Sequence, residues 1–114
     1  MEILVQPDDD GRYIISCPDC LEWRARIDFA EAFRKKTTGQ EVSGVILDLH
    51  GVTYINSAGL GAIFIIRKLI VGLQATMVLA RPTPAVKRLL QTANIPELIP
   101  VAVDLDEARE LLKT

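Results

Sequence analysis

The chain has 114 residues, which is short enough for one domain spanning residues 1–114 and long enough to bury a single core. Hydrophobic residues make up 49% and charged residues 25%, a composition typical of ordered globular proteins that excludes a disordered chain. The formal net charge is −2 and no basic, aromatic-rich tract is present, so the sequence argues against a nucleic-acid partner.

The N-terminal and apolar segments argue against export and membrane insertion. The first ten residues, MEILVQPDDD, turn acidic and lack the basic and then apolar pattern of a secretory signal. The longest apolar stretch, Leu60–Ile66, is much shorter than the roughly 20 residues of a membrane span. We therefore expect a cytoplasmic protein without direct membrane insertion.

The N-terminal third predicts a hairpin and a helix. Residues 2–6 (EILVQ) and Tyr13–Ser16 have strand composition and are separated by the turn-forming Asp8–Gly11, which predicts a hairpin. Apolar residues recur at helical spacing over Arg24–Lys36, which predicts the first helix. Leu21–Ile27 also alternates as a half-buried strand would, so the start of this helix stays open.

The middle of the chain predicts a buried strand that leads into a buried helix. Val45–Leu47, followed by Leu49, is rich in β-branched and aliphatic residues, as are strands covered on both faces. Apolar residues then repeat with helical period from Leu60 to Ile70, which predicts a deeply packed helix. Thr76–Ala80 predicts the next strand.

Strong local signals mark a third helix. Thr83 is a good N-cap residue and Pro84 fits the first helical position. The residues predicted to face inward are Val86, Leu89, Leu90 and Ala93.

The C-terminal segment predicts an edge strand and a last helix. Leu98–Val103 has strand composition, and Pro100 within it favours an edge position. Asp104 and Glu107 form a capping box ahead of a helix. Its apolar residues are Leu105, Ala108, Leu111 and Leu112. Strands and helices thus alternate after the hairpin, which predicts an α/β fold with a mostly parallel sheet.

The segment Tyr54–Ile63, YINSAGLGAI, interrupts the apolar pattern with two polar residues at a strand-to-helix turn. Asn56 and Ser57 are both residue types that cap helices, and one cap is sufficient. Ser57 is therefore expected to turn its hydroxyl outward, beside the positive end of the helix dipole. Gly59 and Gly61 are expected to let the helix approach a neighbouring backbone closely.

Three stretches resemble the STAS domain family. VILDLHGVTYINSAGLGAI (Val45–Ile63) resembles the family signature, ARPTPAVKRLLQTANIPELIPV (Ala80–Val101) its fourth strand and third helix, and Asp104–Leu112 its last helix. Asp19–Glu22 departs from the usual family pattern, since only Leu21 of these residues matches it. The resemblance implies a single α/β domain with a mixed, mostly parallel sheet of about five strands and about four helices.

The resemblance also implies a non-enzymatic, partner-switching role without a cofactor. Anti-sigma-factor antagonists of this family bind an anti-sigma factor that is a serine kinase, and phosphorylation of the serine in an Asp-Ser motif ends the binding until a serine phosphatase resets it. Ser57 matches that serine, whereas Asn56 replaces the aspartate. The alternative is a constitutive STAS subunit of a lipid-exporting ABC transporter or a scaffold complex, with Ser57 only a helix cap.

The surface predicted to bind the partner is the edge around Ser57. Trp23 and Arg24 join it because Trp and Arg are enriched in protein-contact hot spots, although core packing of Trp23 is an equal alternative. The predicted partner-binding residues are Trp23, Arg24, Asn56, Ser57, Ala58, Gly59 and Leu60.

Other reactive residue types carry weaker hypotheses. Cys17 and Cys20 form a C-x-x-C motif, which in another class of protein is a redox dithiol activated by a helix N-terminus. Two cysteines and the single His50 fall short of the four ligands of a structural zinc site, so no metal is predicted. His50 is expected to be a polar loop residue, and Asp48 a carboxylate that accepts loop N–H groups.

Overall fold

A central, fully buried strand organises the fold. The computed structural model describes residues 3–113, and every residue of β4 (Gly44–Asp48) is buried. β4 lies between β2 (Arg12–Ser16) and β6 (Thr76–Ala80) and is parallel to both. Its apolar residues point to both faces of the sheet, which confirms the predicted central strand.

The main sheet is mixed and mostly parallel. β1 (Leu4–Pro7) pairs antiparallel with β2 in the predicted hairpin, and β7 (Val101–Ala102) lies parallel to β6 at the other edge. The strand order is β1-β2-β4-β6-β7. A second, two-stranded sheet joins β3 (Cys20–Leu21) to β5 (Tyr54–Ile55).

Helices cover both faces of this sheet. α1 (Ala25–Thr37), α2 (Ser57–Gly72) and α3 (Pro84–Thr92) contribute to one apolar cluster. α4 (Leu105–Leu112) covers the opposite face, where it packs against a smaller cluster of sheet residues. Those sheet residues are Ile46, Val78, Ala80 and Ala102. Four helices and a five-stranded sheet confirm the predicted fold class.

The first and last predicted strands differ most from the observed bounds. β1 covers Leu4–Pro7 instead of residues 2–6, and Glu2 lies outside the described residues. The predicted strand Leu98–Val103 is reduced to β7, because Ile95–Glu97 forms a 3₁₀ turn and the amide of Ile99 donates to Ile95. The edge position of β7 confirms what Pro100 indicated.

The segment before α1 was open to two predictions, a strand and a helix, and the structure contains part of each. Cys20–Leu21 pairs with β5 as a short strand, and the helix begins at Ala25. The alternation therefore ends at Leu21, and the apolar residues from Ala25 onward follow helical spacing.

The third helix starts as predicted but buries fewer residues. Thr83 caps it by accepting a hydrogen bond from the Val86 amide at 3.3 Å, and Pro84 is its first residue. Val86 and Leu90 are buried, whereas Leu89 is 41% exposed, so its predicted inward position was wrong. Leu89 lies about 100° around the helix from Leu90, which turns it away from the core.

The last helix has half of the predicted capping box. The carboxylate of Asp104 accepts from the Glu107 amide at 2.8 Å. Glu107 accepts from the amide of Val103 at 3.1 Å instead of from that of Asp104. Among residues 3–113, no helix has the length and apolar character that crossing a membrane requires.

Candidate functional site

The strand-to-helix turn is built around one capping side chain. Asn56 has an extended backbone, and its Oδ1 accepts a hydrogen bond from the Gly59 amide at 2.7 Å. The backbone carbonyl of Asn56 accepts a hydrogen bond from the Leu60 amide at 3.0 Å, and this bond forms the first turn of α2. Asn56 is thus the N-cap and Ser57 the first helical residue, which resolves the choice between two cap-type residues.

We expect the Asn56→Ala substitution to lower the free energy of unfolding by about 1 kcal/mol, because the Gly59 amide loses its acceptor. Ser57→Ala, the matched control, should change it by less than about 0.5 kcal/mol, because Ser57 does not cap the helix. Urea denaturation of both variants measures the difference. Equal losses in the two variants would contradict this assignment of the cap.

Ser57 lies on the surface of the protein at the start of α2. Ser57 and Ala58 are exposed, Leu60 is half-buried, and no hydrogen bond joins the Ser57 hydroxyl to any residue within 3–113. No acidic residue occupies the first turn of α2. The positive end of the helix dipole is therefore uncompensated at this point, and a negative group on Ser57 is electrostatically favourable for the fold.

The two glycines of the turn have different roles. A Cβ on Gly59 would stand 2.1 Å from the carbonyl oxygen of Leu21, so α2 contacts the β3 backbone directly at this residue. A Cβ on Gly61 would meet only the Trp23 ring, at 3.4 Å. The predicted close backbone approach is confirmed for Gly59 and wrong for Gly61, since Gly61 faces a side chain.

Trp23 lies on the surface beside the first turns of α2. It is 44% exposed, which decides against core packing. Its ring packs over Gly61, and the guanidinium of Arg26 stacks on the ring at 4.5 Å from its centroid. Arg26 was not predicted, because the alternating pattern did not show that it shares a helical turn with Trp23. Arg24 is strongly exposed and pairs with Asp28 at 3.5 Å.

The structure adds exposed apolar residues that the sequence analysis missed. Tyr54 is 54% exposed, immediately before the turn. Ser57, Gly61, Ile65 and Leu69 follow one another at four-residue steps along α2, and we call them the α2 face. Ile65 and Leu69 are 37% and 44% exposed, although this helix was predicted to be deeply packed. Their spacing from Ser57 was the signal that could have identified them.

A buried carboxylate closes the neighbouring end of β4. Asp48 is 5% exposed and accepts from the His50 amide at 3.1 Å, as predicted. It also accepts from Nε of Arg81 at 3.1 Å and from Nη2 of the same guanidinium. Arg81 was missed because it lies 33 residues away in the chain. The Asp48–Arg81 pair ties the ends of β4 and β6 together.

The cysteine pair lacks the features of a redox dithiol. Cys17 follows β2 and Cys20 lies in β3, so neither stands at a helix N-terminus. Burial, with a smaller contribution from Asp48, raises the pKa of Cys17 from 9.0 to about 12. Partial burial and the carboxylates of Glu22 and Asp19 also raise the pKa of Cys20. Both thiols are therefore protonated at neutral pH, the opposite of an activated nucleophile.

The described residues also contain no group of three His, Cys, Asp or Glu side chains that could hold a metal ion. His50 lies exposed after β4, and only its backbone amide is engaged by Asp48.

The fold has counterparts among solved structures. The crystal structure of a putative anti-sigma factor antagonist from Thermotoga maritima has the same fold, with a TM-score of 0.77. It is 22% identical, and the match covers 98% of this chain and 95% of that one. The anti-sigma factor antagonist SpoIIAA, in its unphosphorylated form, is 14% identical with a TM-score of 0.75 and coverages of 97% and 96%. At these identities the likeness shows the fold.

A membrane transporter contains the same fold as one part of a longer chain. The murine anion transporter Slc26a9 matches 98% of this chain with 16% identity and a TM-score of 0.75, but the match covers only 22% of the transporter.

Sequence comparison gives the family directly. A STAS-domain containing protein of Pseudomonas aeruginosa (strain UCBPP-PA14) is 26% identical over 103 residues, which are 90% of this chain and 100% of that protein. The family model described as STAS domain matches residues 20–108, which include β3, the Asn56–Ser57 turn and the first half of α4. The chain belongs to the STAS domain family.

Proposed function

We propose that this protein is a non-enzymatic, cytoplasmic regulatory binding protein, similar to anti-sigma-factor antagonists, that a partner serine kinase switches by phosphorylating Ser57. One observation carries the proposal. Ser57 is exposed at the start of α2, its hydroxyl makes no hydrogen bond to residues 3–113, and Asn56 supplies the cap. Phosphorylation of this hydroxyl would therefore break no hydrogen bond of the fold.

The unmodified surface suits contact with another protein. Trp23 and Tyr54 are both exposed, and the Trp23 ring contacts Gly61 and the Arg26 guanidinium. Immobilised aromatic side chains next to small residues are typical of protein-contact hot spots. The proposed contact surface consists of Trp23, Arg24, Asn56, Ser57, Ala58, Gly59 and Leu60, with Gly59 acting through the backbone because it is buried.

Phosphorylation would change this surface without unfolding it. Transfer of the γ-phosphoryl group of ATP to Oγ of Ser57 adds about −1.5 to −2 charges at neutral pH. The helix dipole accommodates that charge in the folded protein, because no acidic side chain lies in the first turn. In the complex, the same charge would lie among apolar residues and lose its hydration, so the partner would dissociate.

Asn56 changes the electrostatics of the acceptor site. An aspartate at this place would repel the added phosphate, whereas the amide of Asn56 is neutral and its oxygen is held by Gly59. The phosphorylated form should therefore be stable until a serine phosphatase hydrolyses the phosphate ester. The proposed partners are accordingly an anti-sigma factor with serine kinase activity and a serine phosphatase.

We expect incubation with such a kinase and ATP to add one phosphoryl group, detected by intact mass spectrometry, and Ser57→Ala to abolish the addition. Phosphorylation, or Ser57→Asp, should lower the affinity for the kinase by roughly 100-fold, or about 2.7 kcal/mol, in titration calorimetry. Thr53→Ala is the matched control, because Thr53 is an exposed hydroxyl residue outside the helix. Phosphorylation at another residue, or unchanged affinity after modification of Ser57, would refute the proposal.

The second candidate is a constitutive interaction subunit of a lipid-exporting ABC transporter or a scaffold complex. The observation that favours it is the α2 face, whose exposed Ile65 and Leu69 suit a permanent contact. The part of this hypothesis that makes Ser57 the helix cap is wrong, because Asn56 caps α2. Co-purification of a stable complex that is insensitive to Ser57→Asp would favour this candidate over the switch.

A further inference from the structure

A cavity of about 420 Å³ opens at the edge of the sheet, between β7 and α3. None of its lining residues belongs to the proposed contact surface around Ser57. Its volume falls within the range of about 300 to 1,000 Å³ that small-molecule sites occupy. The cavity is therefore large enough to hold a ligand of its own.

The chemistry of the lining is amphipathic with one sign of charge. Leu90, Pro96 and Val101 supply apolar walls, and Lys87 is the single charged residue of the lining. The side chains of Lys87 and Gln91 are exposed, and neither makes a hydrogen bond or ion pair with the part of the chain that the structure describes. A cation and an amide without partners beside apolar walls are complementary to an anion that carries an apolar tail.

The geometry of β7 disfavours the other occupant of such a groove, an added peptide strand. β7 has only two residues, Val101–Ala102, and Pro100 precedes it. The amide of Val103, which would extend the ladder, already donates to Glu107 at 3.1 Å. Short edge strands flanked by proline protect sheets against strand addition. A small molecule fits this edge better than a peptide.

We propose that this cavity binds a small amphipathic carboxylate, with its carboxylate on Lys87 and Gln91 and its aliphatic or aromatic part against Leu90, Pro96 and Val101. The site is independent of the Ser57 switch, since the two share no residue. The domain would then have a small-molecule site between β7 and α3, separate from the Ser57 turn.

Two-dimensional ¹H–¹⁵N NMR of the whole chain with sodium octanoate tests the site. We expect saturable shifts at the amides of Leu90, Val101 and Ala102. Acetate, which has the charge without the chain, and octylamine, which has the chain with the opposite charge, should not produce them. Lys87→Gln should weaken octanoate binding roughly tenfold, and Lys87→Arg should largely retain it.

Arg88→Gln is the matched control, because Arg88 lies next to Lys87 on α3, is exposed and does not line the cavity. It should leave octanoate binding unchanged, and both variants should keep the wild-type melting temperature. The proposal is overturned if octanoate causes no saturable shift at these amides, if octylamine binds as well, or if Arg88→Gln weakens binding as much as Lys87→Gln. Binding of an apolar, acidic peptide in place of octanoate would also overturn it.

Discussion

Gly59→Ala is expected to lower the free energy of unfolding by about 3 kcal/mol. The added Cβ would stand 2.1 Å from the carbonyl oxygen of Leu21 and 2.7 Å from its carbonyl carbon. Both atoms belong to the backbone of β3, which cannot rotate away as a flexible side chain does. The start of α2 would have to move away from β3, which opens the core around Ile55.

The same substitution two residues further on should have the opposite sign. At Gly61 the new Cβ would make an ordinary contact with the Trp23 ring, and alanine is favoured over glycine within a helix by up to about 1 kcal/mol. Gly61→Ala should therefore be neutral or stabilising by a few tenths of a kcal/mol. Urea denaturation of both variants measures the contrast, and comparable stabilities for Gly59→Ala and Gly61→Ala would show that α2 does not press against β3.

Asp48→Asn should lower the free energy of unfolding by about 2 to 3 kcal/mol. The buried carboxylate accepts two hydrogen bonds from the Arg81 guanidinium, and the amide keeps the shape but loses the charge and one acceptor. The Arg81 side chain is 35% exposed, so water screens part of the loss, and the effect stays below that of a fully buried pair.

Asp28→Asn is the matched control for the Asp48 substitution. Asp28 pairs with Arg24, whose side chain is 76% exposed, so the loss should stay below about 0.5 kcal/mol. Thermal and urea unfolding at neutral pH measure both variants. A loss at Asp48 no larger than that at Asp28 would mean that the Asp48–Arg81 pair contributes no more than a surface ion pair.

Elements with causes confined to a few neighbouring residues could be predicted from the sequence. Thr83 and Pro84 are adjacent residues that together define the start of α3, as predicted. The predicted strand Thr76–Ala80 is also confirmed with identical bounds. At the Asn56–Ser57 turn, the need for one cap and the exposure of its neighbour followed from the helix-start preferences of Asn56 and Ser57.

Features that depend on residues distant in the chain could not be predicted in this way. The length of β7 depends on the 3₁₀ turn that precedes it and on pairing with only the end of β6. Asp48 pairs with Arg81 because β4 and β6 are neighbours in the sheet and end side by side. The outward position of Leu89 depends on how α3 is rotated against the core, which an all-aliphatic pattern leaves undetermined.

The candidate site shows the same division. The sequence predicted Ser57 and Trp23 as site residues, but it could not show that the β3 backbone touches Gly59 or that Arg26 stacks on the indole ring. Phosphorylation of Ser57 and the partner protein remain predictions, because both depend on a second protein.

The order of strands in the sheet has a consequence for synthesis on the ribosome. Because β1, β2, β4, β6 and β7 are neighbours in the order in which they are translated, each emerging strand finds its pairing edge already present. α4 follows all five strands in the chain, so it covers Ile46 and Val78 only after these strands have been made. A nascent chain that stalls before Leu105 therefore presents an uncovered apolar sheet face, the kind of surface to which chaperones bind.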